Sequence, residues 1–102
     1  MARVLLTSLA DGDVDYIIAD LAAKAGARIA ARYIADFDKL YDRLAEYPDS
    51  GARRPSLGES VRVSVIAPYV VIYEHMPAEG TVVIMRIVHG RRNITEKLMR
   101  GS

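Results

Sequence analysis

The chain has no cysteine among its 102 residues, so a disulfide scaffold and a thiolate metal site are both excluded. Its two histidines, His75 and His89, stand apart from one another, which leaves no basis for a zinc centre. No metal and no cofactor is therefore expected. No apolar run approaches the roughly 18 residues of a membrane-spanning helix. The N-terminus shows no signal-peptide pattern. A cytoplasmic location without membrane contact is expected. A strong charge of either sign is also lacking, since the net charge is only +1. That excludes a general nucleic-acid coat. There is no internal repeat.

What remains is ordinary globular material, 51% hydrophobic and 26% charged, enough for one domain and one core. The domain is expected over residues 1–99, and Arg100-Gly101-Ser102 reads as a tail or vector remnant. The charge is unevenly placed: residues 1–46 carry −2 and residues 47–102 carry +3. A local basic face in the second half follows.

Residues 2–7, ARVLLT, are short, apolar and partly β-branched, and predict a strand that exits through Ser8, Leu9 and Ala10. Asp11, Asp13 and Asp15 then predict a first helical turn, where carboxylates oppose the positive end of the helix dipole. Val14, Ile17, Ile18, Leu21 and Ala25 recur at helical spacing up to Gly26, a C-terminal stop. A second helical stripe follows at once through Ala30, Tyr33, Phe37, Leu40, Tyr41 and Leu44, and Pro48 ends it. Helices over about 11–25 and 28–46, joined this tightly, must pack antiparallel.

Residues 48–60 hold two prolines, two glycines and three serines and predict the one long loop. Three strand patterns follow at 61–66, 69–76 and 81–88, joined by connections short enough to force an antiparallel meander. The third is apolar on both faces and should be well covered. A final helical turn is expected within Asn93–Met99. The predicted class is α+β, in the order β-α-α-β-β-β, with a helical hairpin packed on an antiparallel sheet.

Taken together, the opening strand, DYIIADLAAKAG, ARYIADFDKLYDRLAEYPDSGARRP, VRVSVIAPYVVIYEH and VVIMRIVHGRRNI resemble the RelE/ParE superfamily of bacterial toxins, and within it the ParE branch. The resemblance spans about residues 3–97. It implies the β-α-α-β-β-β toxin fold and growth arrest relieved by a cognate, ParD-like antitoxin, in a dimer or a toxin–antitoxin heterotetramer. It also implies one of two activities. RelE-like members cut messenger RNA on the ribosome, whereas ParE-like members inhibit DNA gyrase without chemistry of their own. Nucleic acid would be met only through the antitoxin.

A RelE-like nuclease resembles its relatives in loop lysines, a strand arginine, an arginine after the last strand and a C-terminal tyrosine. In this chain the loop offers Arg53 and Arg54 and no lysine, and NITEKLM holds no tyrosine. Arg62 and Arg92 match the two family arginines, and His89 could act as acid or base. The catalytic alternative is thus Arg62, His89 and Arg92. The favoured reading assigns no catalytic residue. It makes Arg53, Arg54, Arg62, His89, Arg91 and Arg92 a surface for the target or the antitoxin, since the arginine fork suits carboxylates. The plain readings stay open beside it. His89 caps the strand end by bonding backbone, Gly90 supplies a turn with positive φ, Arg62 and Arg86 snorkel to solvent or pair with a carboxylate such as Glu74, and His75 is incidental. A toxin-fold domain kept only as a binding module is a third reading.

Overall fold

The computed structural model describes residues 1–100, so Gly101 and Ser102 of the expected tail lie outside the described residues. The element order is β1 (Arg3–Leu6), α1 (Ser8–Ala25), α2 (Ala27–Glu46), β2 (Ala52–Arg53), β3 (Val61–Ile66), β4 (Tyr69–Met76), β5 (Thr81–His89) and α3 (Glu96–Met99). Short 3₁₀ turns at Pro55–Leu57 and Pro77–Glu79 complete the connections.

Helix α1 starts a turn earlier than its aspartates suggest. Thr7 is the N-cap, and its hydroxyl accepts the Ala10 amide at 3.1 Å. Only Asp11 then stands in the first turn, which frees Asp13 for a different task. Gly26 ends α1 and begins α2 with φ of 93°, a left-handed geometry that favours glycine, and its amide returns to the Ala22 carbonyl at 3.1 Å.

The sheet has five strands in the order β1-β5-β4-β3-β2. The meander β3-β4-β5 is antiparallel as expected. The sheet as a whole is mixed, because β1 joins β5 in parallel with Arg3 opposite Thr81 and Leu6 opposite Ile84. The helical hairpin between β1 and the meander carries the chain back to the same end, which makes this pairing parallel. The predicted loop also hides an edge strand. Ala52 and Arg53 pair with Val63 and Arg62 of β3.

The hairpin buries Ile17, Phe37, Leu40 and Leu44 against Val71, Tyr73, Val82, Ile84 and Ile87. On the other face a smaller cluster of Leu57, Val61, Ile72 and Val88 is closed by Leu98 of α3. This second cluster explains why β5 is apolar on both faces.

Candidate functional site

Strand β5 runs on past the end of β1, so from Met85 to His89 it has β4 on one side and an open edge on the other. A register shift between Ile72 and Tyr73 of β4 leaves Met85 bulged. Helix α1 closes this edge. The Thr7 hydroxyl donates to the Met85 carbonyl at 2.9 Å, and an Asp13 carboxylate oxygen accepts the Ile87 amide at 2.9 Å. The same carboxylate takes the Arg86 Nε and Nη2 protons at 2.8 and 2.7 Å. Arg86 Nη1 donates to the Leu98 carbonyl at 2.7 Å and so fixes α3. The hydrogen bond to Asp13 holds the Arg86 pKa above its ordinary value despite burial. Arg86 thus pairs with a carboxylate and does not reach solvent, and the carboxylate is an aspartate 73 positions away, not Glu74.

His89 pairs with Tyr69, and the two rings meet edge to face with centroids 5.9 Å apart. Its Nδ1 accepts the Arg91 amide at 3.0 Å, and its carbonyl accepts the Arg92 amide at 3.0 Å. The backbone-capping reading of His89 describes these contacts. Gly90 does not have the positive φ expected of it. It is needed for close approach, because its amide donates to the Pro68 carbonyl at 2.8 Å and a Cβ would sit 3.1 Å from that oxygen. The Arg91 and Arg92 side chains are exposed. His89 and Arg92 face Asp13, Tyr16, Asp20 and Tyr69 across a cleft of about 260 Å³ between α1 and β5.

Arg62 lies elsewhere, on β3. Its Nη1 donates to the Asp49 and Gly51 carbonyls at 3.1 and 2.9 Å, and its Nε stands 3.6 Å from the Asp49 carboxylate. The same carboxylate contacts His75 Nδ1 at 2.9 Å, so His75 is part of the bracing of this loop. Arg53 Nη2 donates to the Glu59 carbonyl at 3.2 Å, and the Arg54 amide to the Val61 carbonyl at 2.8 Å. Asp49, Arg53, Glu59, Arg62 and His75 line a second, polar cleft of about 310 Å³.

The two clefts are well apart. Arg62 is opposite Tyr73, whereas His89 is opposite Tyr69, and β4 separates β3 from β5. Four residues along the strand and two strand spacings across it put the backbones roughly 16 Å apart. The structure joins His89, Arg91 and Arg92 at one end of β5, and joins Arg53 to Arg62 at the other cleft. It does not bring Arg62 together with His89 and Arg92. Among the described residues no group of three or more His, Cys, Asp or Glu side chains could hold a metal ion.

Asp13 and the Asp49–His75 contact were not singled out from the sequence. Asp13 stands one turn before Ile17 on the face that α1 buries, which is a signal. Asp49 lies in a polar loop that marks no particular residue.

The family model for the ParE toxin of the type II toxin–antitoxin system parDE matches residues 4–94. A curated relative, toxin ParE3 of Caulobacter vibrioides, is 31% identical over 98 residues, which cover 96% of each chain. A solved structure described as the chromosomal ParDE toxin–antitoxin system of P. aeruginosa aligns with TM-score 0.72 and 23% identity, covering 87% of this chain and 96% of that one. The toxin–antitoxin complex RelBE2 of Mycobacterium tuberculosis aligns with TM-score 0.57 and 23% identity, covering 86% and 90%.

Proposed function

This chain belongs to the ParE toxin family of type II toxin–antitoxin systems, and from that premise we propose that it arrests growth by binding DNA gyrase, without chemistry of its own. The observation that carries this reading is the separation of Arg62 from His89 and Arg92. Cleavage of RNA needs a base, an acid and a cation around one phosphate. Here the Arg62 guanidinium is committed to the backbone of the 49–51 loop, and His89 Nδ1 already accepts an amide. The exposed pair Arg91 and Arg92 offers two planar cations to an acidic protein surface.

A ParD-like antitoxin restrains the protein in this reading. Leu9 and Tyr16 of α1 and Ile34 of α2 are 40%, 72% and 45% exposed, an apolar surface for a tail that folds on binding. The tail would cross the helical hairpin towards Arg92. Hydrogen exchange with and without antitoxin tests this, and protection absent from α1 and α2 would contradict it.

The decisive experiment compares gyrase supercoiling with ribosome-programmed RNA cleavage for wild type, His89→Ala and Arg91→Ala/Arg92→Ala. Gyrase inhibition that survives His89→Ala and weakens with the arginine pair, more so at low salt, is expected. Messenger RNA cleavage lost in His89→Ala, with gyrase unaffected at high toxin excess, would overturn the reading in favour of a nuclease.

A further inference from the structure

A third feature lies away from both clefts, along the outer flank of α2. Arg32, Asp36, Lys39 and Arg43 recur at spacings of four, three and four and form one stripe. Asp38 and Asp42 occupy the opposite flank. Two adjoining clefts of about 300 and 230 Å³ run beneath the stripe and share Asp36 and Ile66. Ile29, Tyr33 and Leu40 give them an apolar lining, and Ile66 and Ala67 at the end of β3 form the other wall. Among the described residues Arg32, Lys39 and Arg43 make no ion pair.

The wall formed by β3 is an open strand edge. Strand β2 covers only Arg62 and Val63, so Ser64, Val65 and Ile66 have β4 on one side and, among the described residues, no strand on the other. The Val61 carbonyl turns towards β2, where it accepts the Arg54 amide at 2.8 Å. Alternation then points the Val65 amide and carbonyl out along the same open edge. The Val65 side chain is 61% exposed. Bare edges of this kind are normally blunted by proline, charge or a covering segment.

We propose that this channel docks an extended segment of another protein in which acidic residues alternate with apolar ones. The segment adds to β3 beyond β2 through the Val65 backbone groups. Its alternate side chains point to opposite faces. Those on the helix side meet Arg32, Lys39 and Arg43, and those on the far side lie beside Val65. A second copy of this chain is the wrong occupant, because it would bring its own three cations against these. The channel from Ile29 to Arg43 is about 21 Å long, which takes about six extended residues. The inference rests on α2 and β3 alone and does not depend on gyrase as the target.

The test is an amide NMR titration of the full chain with a blocked seven-residue peptide of alternating glutamate and valine. Two control arms use the matching lysine–valine peptide and a single-stranded RNA heptamer. At millimolar peptide the acidic probe should shift the amides of Val65, Ile66 and Ala67 and slow exchange at Val65, while the basic probe leaves them in place. Arg32→Glu/Arg43→Glu should weaken the acidic peptide at least tenfold with melting temperature preserved. Val65→Pro, which removes the edge donor, should weaken it independently of charge. Absence of shifts at Val65, shifts indifferent to peptide charge, or tighter binding of the RNA at the same amides would each overturn the proposal. Neither gyrase nor antitoxin enters this experiment, so its failure leaves the toxin reading where it stands.

Discussion

Asp13 and Arg86 stand 73 positions apart in the sequence and are joined by two hydrogen bonds of 2.8 and 2.7 Å. Their side chains are 13% and 10% exposed, so this is a nearly dry ion pair. Because Asp13 also accepts the Ile87 amide, and Arg86 also donates to the Leu98 carbonyl, the pair ties α1, β5 and α3 at one point. Removing one partner strands a buried charge, at a cost of about 3–5 kcal/mol. Asp13→Ala is expected to lose stability in that range by urea denaturation, and Arg86→Leu/Asp13→Leu to lose less than the two single variants combined, with the Ile87 amide and Leu98 carbonyl left unpaired. A double-variant loss equal to the sum of the Asp13→Ala and Arg86→Leu losses would show that the pair is not coupled.

A second buried contact should behave differently. The Tyr73 hydroxyl, on a fully buried ring, accepts the Gly51 amide at 2.8 Å. A Cβ at Gly51 would lie 2.5 Å from that hydroxyl and 2.7 Å from the Val63 carbonyl. Tyr73→Phe should cost about 1–3 kcal/mol by leaving the Gly51 amide unpaired. Gly51→Ala should cost more, and Tyr73→Phe should relieve only part of it, because the backbone clash at Val63 persists. Thermal melts of the three variants give the comparison.

Tyr41 presents the reverse case. Its hydroxyl is buried without a hydrogen-bond partner among the described residues, and burial pushes its pKa up to about 12. The unfolded phenol titrates near 10. The folded state therefore holds the proton more tightly, and the stability this contributes is complete below about pH 10 and lost as pH rises through about 12. Tyr41→Phe should be neutral or stabilising at pH 7, since it removes an unpaired buried polar group. It should also flatten the alkaline decline in stability. A steeper alkaline decline in the variant would contradict the assignment.

Arg62 is expected to matter for the loop before β3. Its Nη1 bonds to the Asp49 and Gly51 carbonyls are the main cross-ties of that segment. Arg62→Ala should cost roughly 1–2 kcal/mol and speed amide exchange over residues 49–54. Its effect on the proposed gyrase inhibition should be smaller than that of Arg91→Ala/Arg92→Ala. A large loss of inhibition with exchange unchanged would move Arg62 onto the contact surface.

Much of this architecture was legible because period and punctuation agree. Gly26 and Pro48 bracket α2, and the ranges 61–66 and 69–76 follow directly from apolar runs with short connections. Three features were not legible, each for a physical reason. The pairing of Ala52 and Arg53 with β3 is set by the neighbouring strand and by Gly51 packing on Tyr73, not by local propensity. The parallel placement of β1 is a property of chain return and not of its four residues. The partner of Arg86 could not be chosen among three aspartates until Thr7, rather than Asp11, proved to cap α1. At the candidate site the sequence marks the cations well. It does not reveal that Arg62 and His89 belong to separate clefts, because that depends on the register of β3, β4 and β5.

The parallel pairing of β1 with β5 sets an order of events for a chain made from its N-terminus. Arg3 meets Thr81 and Leu6 meets Ile84, so β1 leaves the ribosome well before the strand that seats it. Until residues near 86 have been added, the hairpin has no completed sheet to lie on, and its apolar face stays wet. Contacts this distant in sequence slow folding. A fragment of residues 1–80 should bind hydrophobic dyes and lack fixed tertiary packing, and a cooperative melt from that fragment would show otherwise. Any binding that needs the packed hairpin would then wait until β5 has been made, a delay set by the distance between two strands that lie side by side.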